Sequence, residues 1–148
     1  MAAAGPVTRL SELIEGLNLP ILTTVRPDGS LHSCPMATRG VDANGAFWFI
    51  TASNTEKVEA VRTMQRVALC FVDGGGSRYV SVSGFCELVR DQARAKELWD
   101  PKYKTWLPGG LEDPNLILMK IVVQQAEYWD ASQSRMLSIA GFDPAAIG

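Results

Sequence analysis

Ser53, Asn54, Thr55 and Lys57 lie together where an apolar, strand-like run, Ala46–Thr51 (AFWFIT), gives way to a helical pattern. Backbone N–H groups at a helix start favour an anion, and hydroxyls plus a lysine strengthen that preference. The apolar, Trp-bearing run beside them could receive a flat ring, although Trp48 and Phe49 themselves read first as core or interface aromatics, since such a strand packs in any barrel. This chemistry suits holding a cofactor phosphate better than a self-contained catalytic site. The same residues also suit a capped first helical turn with a solvated lysine.

Other chemistries have little to stand on. His32 is the sole histidine, which excludes a multi-histidine metal site and argues against a Ser-His-Asp triad. The three cysteines, Cys34, Cys70 and Cys86, form no CxxC and no metal-ligand spacing. Cys70 and Cys86 sit in strand-like runs, where a thiol ordinarily serves as a small core residue. No acid–base pair or nucleophile stands out, so no side chain is assigned a catalytic role and no metal is expected.

The formal net charge of −2 gives no electrostatic case for nucleic acid or an anionic membrane. Apolar runs such as Leu116–Met119 are too short to span a bilayer, and the opening MAAAG lacks signal-peptide features. A single soluble, cytoplasmic domain over residues 1–148 is expected, large enough to bury a core.

The elements that position these residues follow from periodicity and turn chemistry. Leu10, Leu13, Ile14 and Leu17 recur at helical spacing, with Thr8 or Ser11 as cap and Gly16–Asn18 as stop. Ile21–Arg26 and Leu31–Arg39 read as strands around the turn Pro27-Asp28-Gly29, and Ala46–Thr51 as a third. Thr55–Met64 reads as a helix. Val67–Val72 and Arg78–Val89 form a hairpin across a Gly-rich loop. A helix capped by Asp91 reaches about Trp99, and Lys102–Asn115 is the longest irregular stretch, a length common in binding loops. Leu116–Val123 and Gln125–Asp130 close the pattern as two strands, followed by a weakly patterned tail over about 131–148. Hairpin connections and the lack of GxGxxG argue against a doubly wound sheet. The expected architecture is mostly β: an antiparallel barrel with peripheral helices.

In order along the chain, DGSLHSCPM, FWFIT with Lys57, YVSVSG, ELWDPKYKTWLPGGLEDPNLIL and AEYWD resemble the general stress protein 26 group. That group belongs to the pyridoxamine 5′-phosphate oxidase-like, FMN-binding split-barrel superfamily, and the likeness covers about Leu10 to Asp130. It implies a split-barrel homodimer with FMN at the subunit interface. By this resemblance Cys34, Pro35 and Met36 run along the flavin, and Arg39 is directed at it. Ile50 and Thr51 contact it from the next strand, and Thr55 and Lys57 hold its phosphate. Tyr79 and Val80 come from the second subunit, Trp129 lies near the ring, and Trp106 covers the site.

This chain departs from the pattern at informative places. The group usually reads HSRPM, whereas Cys34 stands here in place of the arginine, and Glu56 stands where another arginine is common. One lost charge-assisted contact costs about 2 kcal/mol, roughly thirtyfold in affinity. Arg135 fits the first position of the oxidases' substrate motif, but Leu137 and Ile139 replace its histidine and second arginine. Oxidation of pyridoxamine phosphate is therefore not expected. The resemblance implies a flavin-dependent oxidoreductase. A flavin-sequestering stress protein, a reductase using the deazaflavin coenzyme F420, and a haem-binding barrel using His32 remain the alternatives.

Overall fold

A computed structural model describes residues 5–142. Strands β1 (Ile21–Val25) and β2 (Leu31–Pro35) form the first hairpin, and β3 (Ala46–Ala52) follows after a loop. Their turn is made by Asp28, whose Oδ1 accepts from the Ser30 N–H at 2.9 Å, with Gly29 at φ 87°. Only glycine takes that left-handed conformation without strain. β4 (Arg66–Val72) and β5 (Tyr79–Val89) form the second hairpin, and β6 (Leu116–Asp130) and β7 (Arg135–Ser138) the last. Helices α1 (Pro6–Leu13), α2 (Glu56–Thr63) and α3 (Gln92–Leu98) lie between or before them.

All seven strands join one antiparallel sheet in the order β2-β1-β4-β5-β6-β3, with β7 added to the far half of β6. The two ends of that order, β2 and β3, do not pair, so the barrel is split rather than closed. This is the expected mostly-β, antiparallel split barrel.

The inner face carries the main core. Leu22, Phe47, Phe49, Leu69, Phe71, Val82, Met119 and Ile121 are buried there, and Phe47 meets Phe71 at 5.5 Å between ring centroids. Leu10 of helix α1 and Ile14 just past its end join this core. A second, smaller core lies on the opposite face of β3 and the first half of β6. There Ile50, Leu116 and Leu118 pack against Ala95 of α3 and Leu107 of the following loop.

Several boundaries differ from the sequence expectation, each for a local reason. Helix α1 starts at Pro6 rather than near Thr8 or Ser11, because proline at the first position needs no N–H partner. Strand β2 stops at Pro35, although the Met36 and Thr38 N–H groups still bond Pro20 and Asn18 carbonyls. The two expected closing strands are one strand, β6. One extra residue, Gln124, is absorbed by a register shift that sets Ser83 opposite Gln125 and Gly84 opposite Val123. The weakly patterned tail also contains structure: β7 pairs Arg135–Ser138 with Glu127–Asp130, and Ile139 is buried. The remainder of that expected tail, 143–148, lies outside the described residues. The irregular stretch contains two 3-10 turns, Pro101–Thr105 and Gly110–Glu112. Cys86 is a core residue as expected. Cys70 is not: its register opposite Ser81 puts it, half-buried, on the outer face.

The register shift depends on Gly84, where a Cβ would stand 2.5 Å from the Val122 carbonyl oxygen. Gly84→Ala must therefore push β5 away from β6. A loss of about 1–3 kcal/mol is expected, read as a lower denaturant midpoint with an unchanged slope; an unchanged midpoint would show that the strands yield freely there.

Candidate functional site

The split itself forms the candidate site. Pro35, Met36 and Ala37 at the end of β2 face Ile50 and Thr51 of β3 across a cleft of about 330 Å³. Edge strands carry main-chain groups that no neighbouring strand satisfies, so a ligand in the gap can take the place of a missing strand. Cleft volumes of this order suit small molecules.

One end of the cleft is polar. Thr55 and Lys57 line it from the start of α2. Thr55 is the N-cap residue, yet its hydroxyl donates to the Ala52 carbonyl at 2.8 Å and caps no helical N–H. No side chain caps the first turn, so its N–H dipoles and the Lys57 ammonium supply the positive potential here. Glu56, between the two, turns to a different cluster. It forms a hydrogen-bonded ion pair with Arg26, and His32 Nε2 lies 3.9 Å from its other oxygen. The Arg26 hydrogen bond holds the Glu56 carboxyl below the usual carboxylate range.

The other wall comes from the first 3-10 turn, which presents Lys102 and Tyr103, followed by Trp106 at the rim, 46% exposed. Tyr103 sits between Trp99, edge-on at 5.7 Å, and Trp106 at 5.3 Å. Burial and the nearby Asp100 raise the Tyr103 phenol above its ordinary value, against a smaller opposing pull from Arg39. The phenol thus remains a hydrogen-bond donor at neutral pH.

The structure brings together Pro35, Met36, Ile50, Thr51, Thr55, Lys57 and Trp106 in this cleft. Cys34 does not line the cleft: it is half-buried, packed against the main core beside Leu22, though within the field of Lys57. Desolvation raises its thiol above the ordinary 9.0, and the Lys57 charge offsets only part of that. No cationic neighbour of Cys34 was visible in the sequence, because Lys57 is far along the chain.

Arg39 does not join the cleft. Its guanidinium donates to the carbonyls of Glu97 at 2.9 Å, Leu98 at 3.4 Å and Trp99 at 3.5 Å. A cation there satisfies the orphan carbonyls at the end of α3 and complements its dipole. Arg39 instead lines a separate surface hollow near the end of α1, with Asn18 and Glu15.

Tyr79 and Trp129 also lie elsewhere. With Ser81, Glu127 and Met136 they line a shallow hollow of about 540 Å³ on the outer face of the sheet. Val80 points inward and is 1% exposed, its backbone paired between β4 and β6, so the structure offers no ligand contact from it within this chain. Lys102 and Tyr103 were not singled out from the sequence. The alternation of basic and aromatic residues in Lys102-Tyr103-Lys104-Thr105-Trp106 was the available signal.

Fold and cleft together define a split-barrel protein with a ligand-sized gap between two unpaired sheet edges. The profile of the pyridoxamine 5′-phosphate oxidase-like family matches residues 5–148, and the chain belongs to that family. No curated protein matches it significantly. Among solved structures it is similar to general stress protein 26 from Bacillus anthracis str. Sterne. That pair shares 24% identity and a TM-score of 0.73 over 88% of this chain and 95% of the other. A Jannaschia sp. CCS1 protein assigned to the general stress protein 26 group is 27% identical, with a TM-score of 0.66 over 80% of this chain and 74% of that one. An F420 reductase shares the fold at 22% identity and a TM-score of 0.60, over 85% and 98%. The resemblance to the general stress protein 26 group read from the sequence therefore holds.

Two predictions follow from the geometry. Arg39→Ala should release the end of α3, seen as faster amide exchange over Leu98–Trp106 with little change in β1; equal exchange would show that the anchor is idle. Thiolates, not thiols, are alkylated. Burial pushes the Cys86 thiol up to about 12, so it should stay unlabelled by iodoacetamide near about pH 8. Cys34 should label more slowly than in denaturant, its rate climbing as pH rises past 9.0. Full-rate Cys34 labelling in the folded chain at the lower pH would mean that Lys57 outweighs desolvation.

Proposed function

We propose that the cleft holds FMN, its phosphate at the start of α2 and its ring between the edges of β2 and β3. One observation carries this reading. Lys57, the uncapped first turn of α2, the unpaired strand edges and the Trp106 ring converge on a single gap. The pieces fit the group: N–H dipoles and a lysine for a phosphate, main-chain groups for ring heteroatoms, aromatic surface for the ring itself. When bound, FMN supplies hydride and electron transfer at its ring. Lys57 neutralises phosphate charge, the β2 and β3 edges fix the plane of the ring, and Trp106 and Tyr103 restrict water.

The working form is a cytoplasmic homodimer. Strand register puts Ile21, Leu31, Val72, Tyr79, Trp129 and Met136 on one outer face. Leu31 is 66% exposed and Val72 56%. Helix α3 covers only the β3 side, which leaves this apolar face for a second copy. In that arrangement Tyr79 and Trp129 reach the partner's cofactor, which accounts for their distance from the cleft of their own chain, while the buried Val80 fixes the strand that carries Tyr79.

The activity proposed is that of a flavin-dependent oxidoreductase without pyridoxamine phosphate oxidation. Reduction of the bound flavin by NAD(P)H and turnover with an acceptor separates this from a flavin-sequestering role. Titration with FMN, followed by fluorescence quenching, should saturate near one FMN per chain, with F420 as the competing ligand. Lys57→Ala is expected to abolish flavin retention, and an unchanged affinity would refute the phosphate assignment.

A further inference from the structure

A phosphate monoester carries close to two negative charges near neutral pH. Charge-assisted contacts to it are correspondingly strong, and two cations match it better than one. On the sheet side of the cleft this chain supplies only one. The arginine of the usual motif is Cys34, a thiol kept protonated by burial. The second common arginine is Glu56, whose carboxylate is held by Arg26. Arg39 is engaged with carbonyls of α3.

The missing charge lies on the opposite wall. Lys102, on the 3-10 turn Pro101–Thr105, lines the same cleft as Thr55 and Lys57. Its turn is fixed at its start. Asp100 caps it by accepting from the Lys102 N–H at 3.0 Å, and Arg39 holds the three carbonyls just before it. Among the described residues the Lys102 ammonium pairs only with Asp100 Oδ2, at 3.9 Å, and its side chain is 65% exposed. Such a pair in water is weak, so the ammonium is free to turn to a stronger anion.

We infer that Lys102 is the second phosphate cation of this site, closing on the ligand from the 3-10 turn opposite Lys57. Specificity for a phosphorylated flavin over the bare one is then set from two walls instead of one. Lys102 replaces the charge that Cys34 removes from β2, and Arg39 is a positioning residue that fixes the segment carrying it. The inference rests on the cleft being a flavin phosphate site.

The test compares FMN with riboflavin, which has the same ring and no phosphate. Wild type, Lys102→Met and Lys102→Arg are titrated with each by fluorescence quenching at low and high salt. Lys102→Met should weaken FMN binding by about tenfold and flatten its salt dependence, while riboflavin changes by less than about twofold. Lys102→Arg should retain most of the FMN affinity. The exposed position leaves folding intact in both variants, checked by an unchanged melting temperature. Equal losses for FMN and riboflavin would place Lys102 at the ring and overturn the inference. So would FMN affinity unchanged in Lys102→Met. If the wild-type chain fails to bind FMN, the cofactor reading itself falls.

Discussion

Everything in this molecule depends on β6, one 15-residue strand that pairs with β3 along its first half and with β5 along nearly all of it. The far half also receives β7. A strand with that many ladders must bend to serve them, and the extra residue at Gln124 provides the bend. Close approach is possible because Gly84 has no side chain. The bent sheet curls until β2 and β3 come face to face without pairing. What reads as a defect in a closed barrel is the feature that gives this fold a ligand-sized gap.

The helices serve that gap rather than the core alone. Helix α2 is short, carries no side-chain cap, and starts where β3 ends, so its dipole is directed where an anion can approach. Helix α3 covers β3 from outside through Ala95 and leaves Trp48 gripped on three sides. The Trp48 indole N–H donates to Asp42 at 2.9 Å, the Arg94 guanidinium lies 4.6 Å from the ring centroid, and Lys120 lies 5.5 Å from it. This clamp fixes the β3 edge, since Trp48 precedes the cleft residues Ile50 and Thr51 by two and three positions.

Charge is distributed by burial and by competition. Glu56 sits at the start of α2, where a carboxylate favours the helix dipole but opposes a bound phosphate. Its pairing with Arg26 moves that charge to the β1–β2 side and leaves Lys57 to act on the cleft. The same logic removes Arg39, whose guanidinium completes the end of α3. Two arginines thus organise the walls, and two lysines, flexible point charges, face the gap.

The sequence by itself determined the antiparallel β class, the family and the polar start of α2, because turn glycines, strand runs and ordered motifs are local signals. Residues contiguous with those motifs, Pro35, Met36, Ile50, Thr51, Thr55 and Lys57, fall together because each lies within a few positions of a strand end or helix start. Tertiary structure alone decided which charges meet. Arg39 and the end of α3 are separated by about sixty residues and bond only once the chain has folded. Lys102 and Lys57 likewise share a cleft that exists only because two distant strand edges fail to pair. The single long β6 and the pairing of β7 were hidden for a related reason: a bulge and a four-residue edge strand are set by the partner's register, which no local pattern encodes.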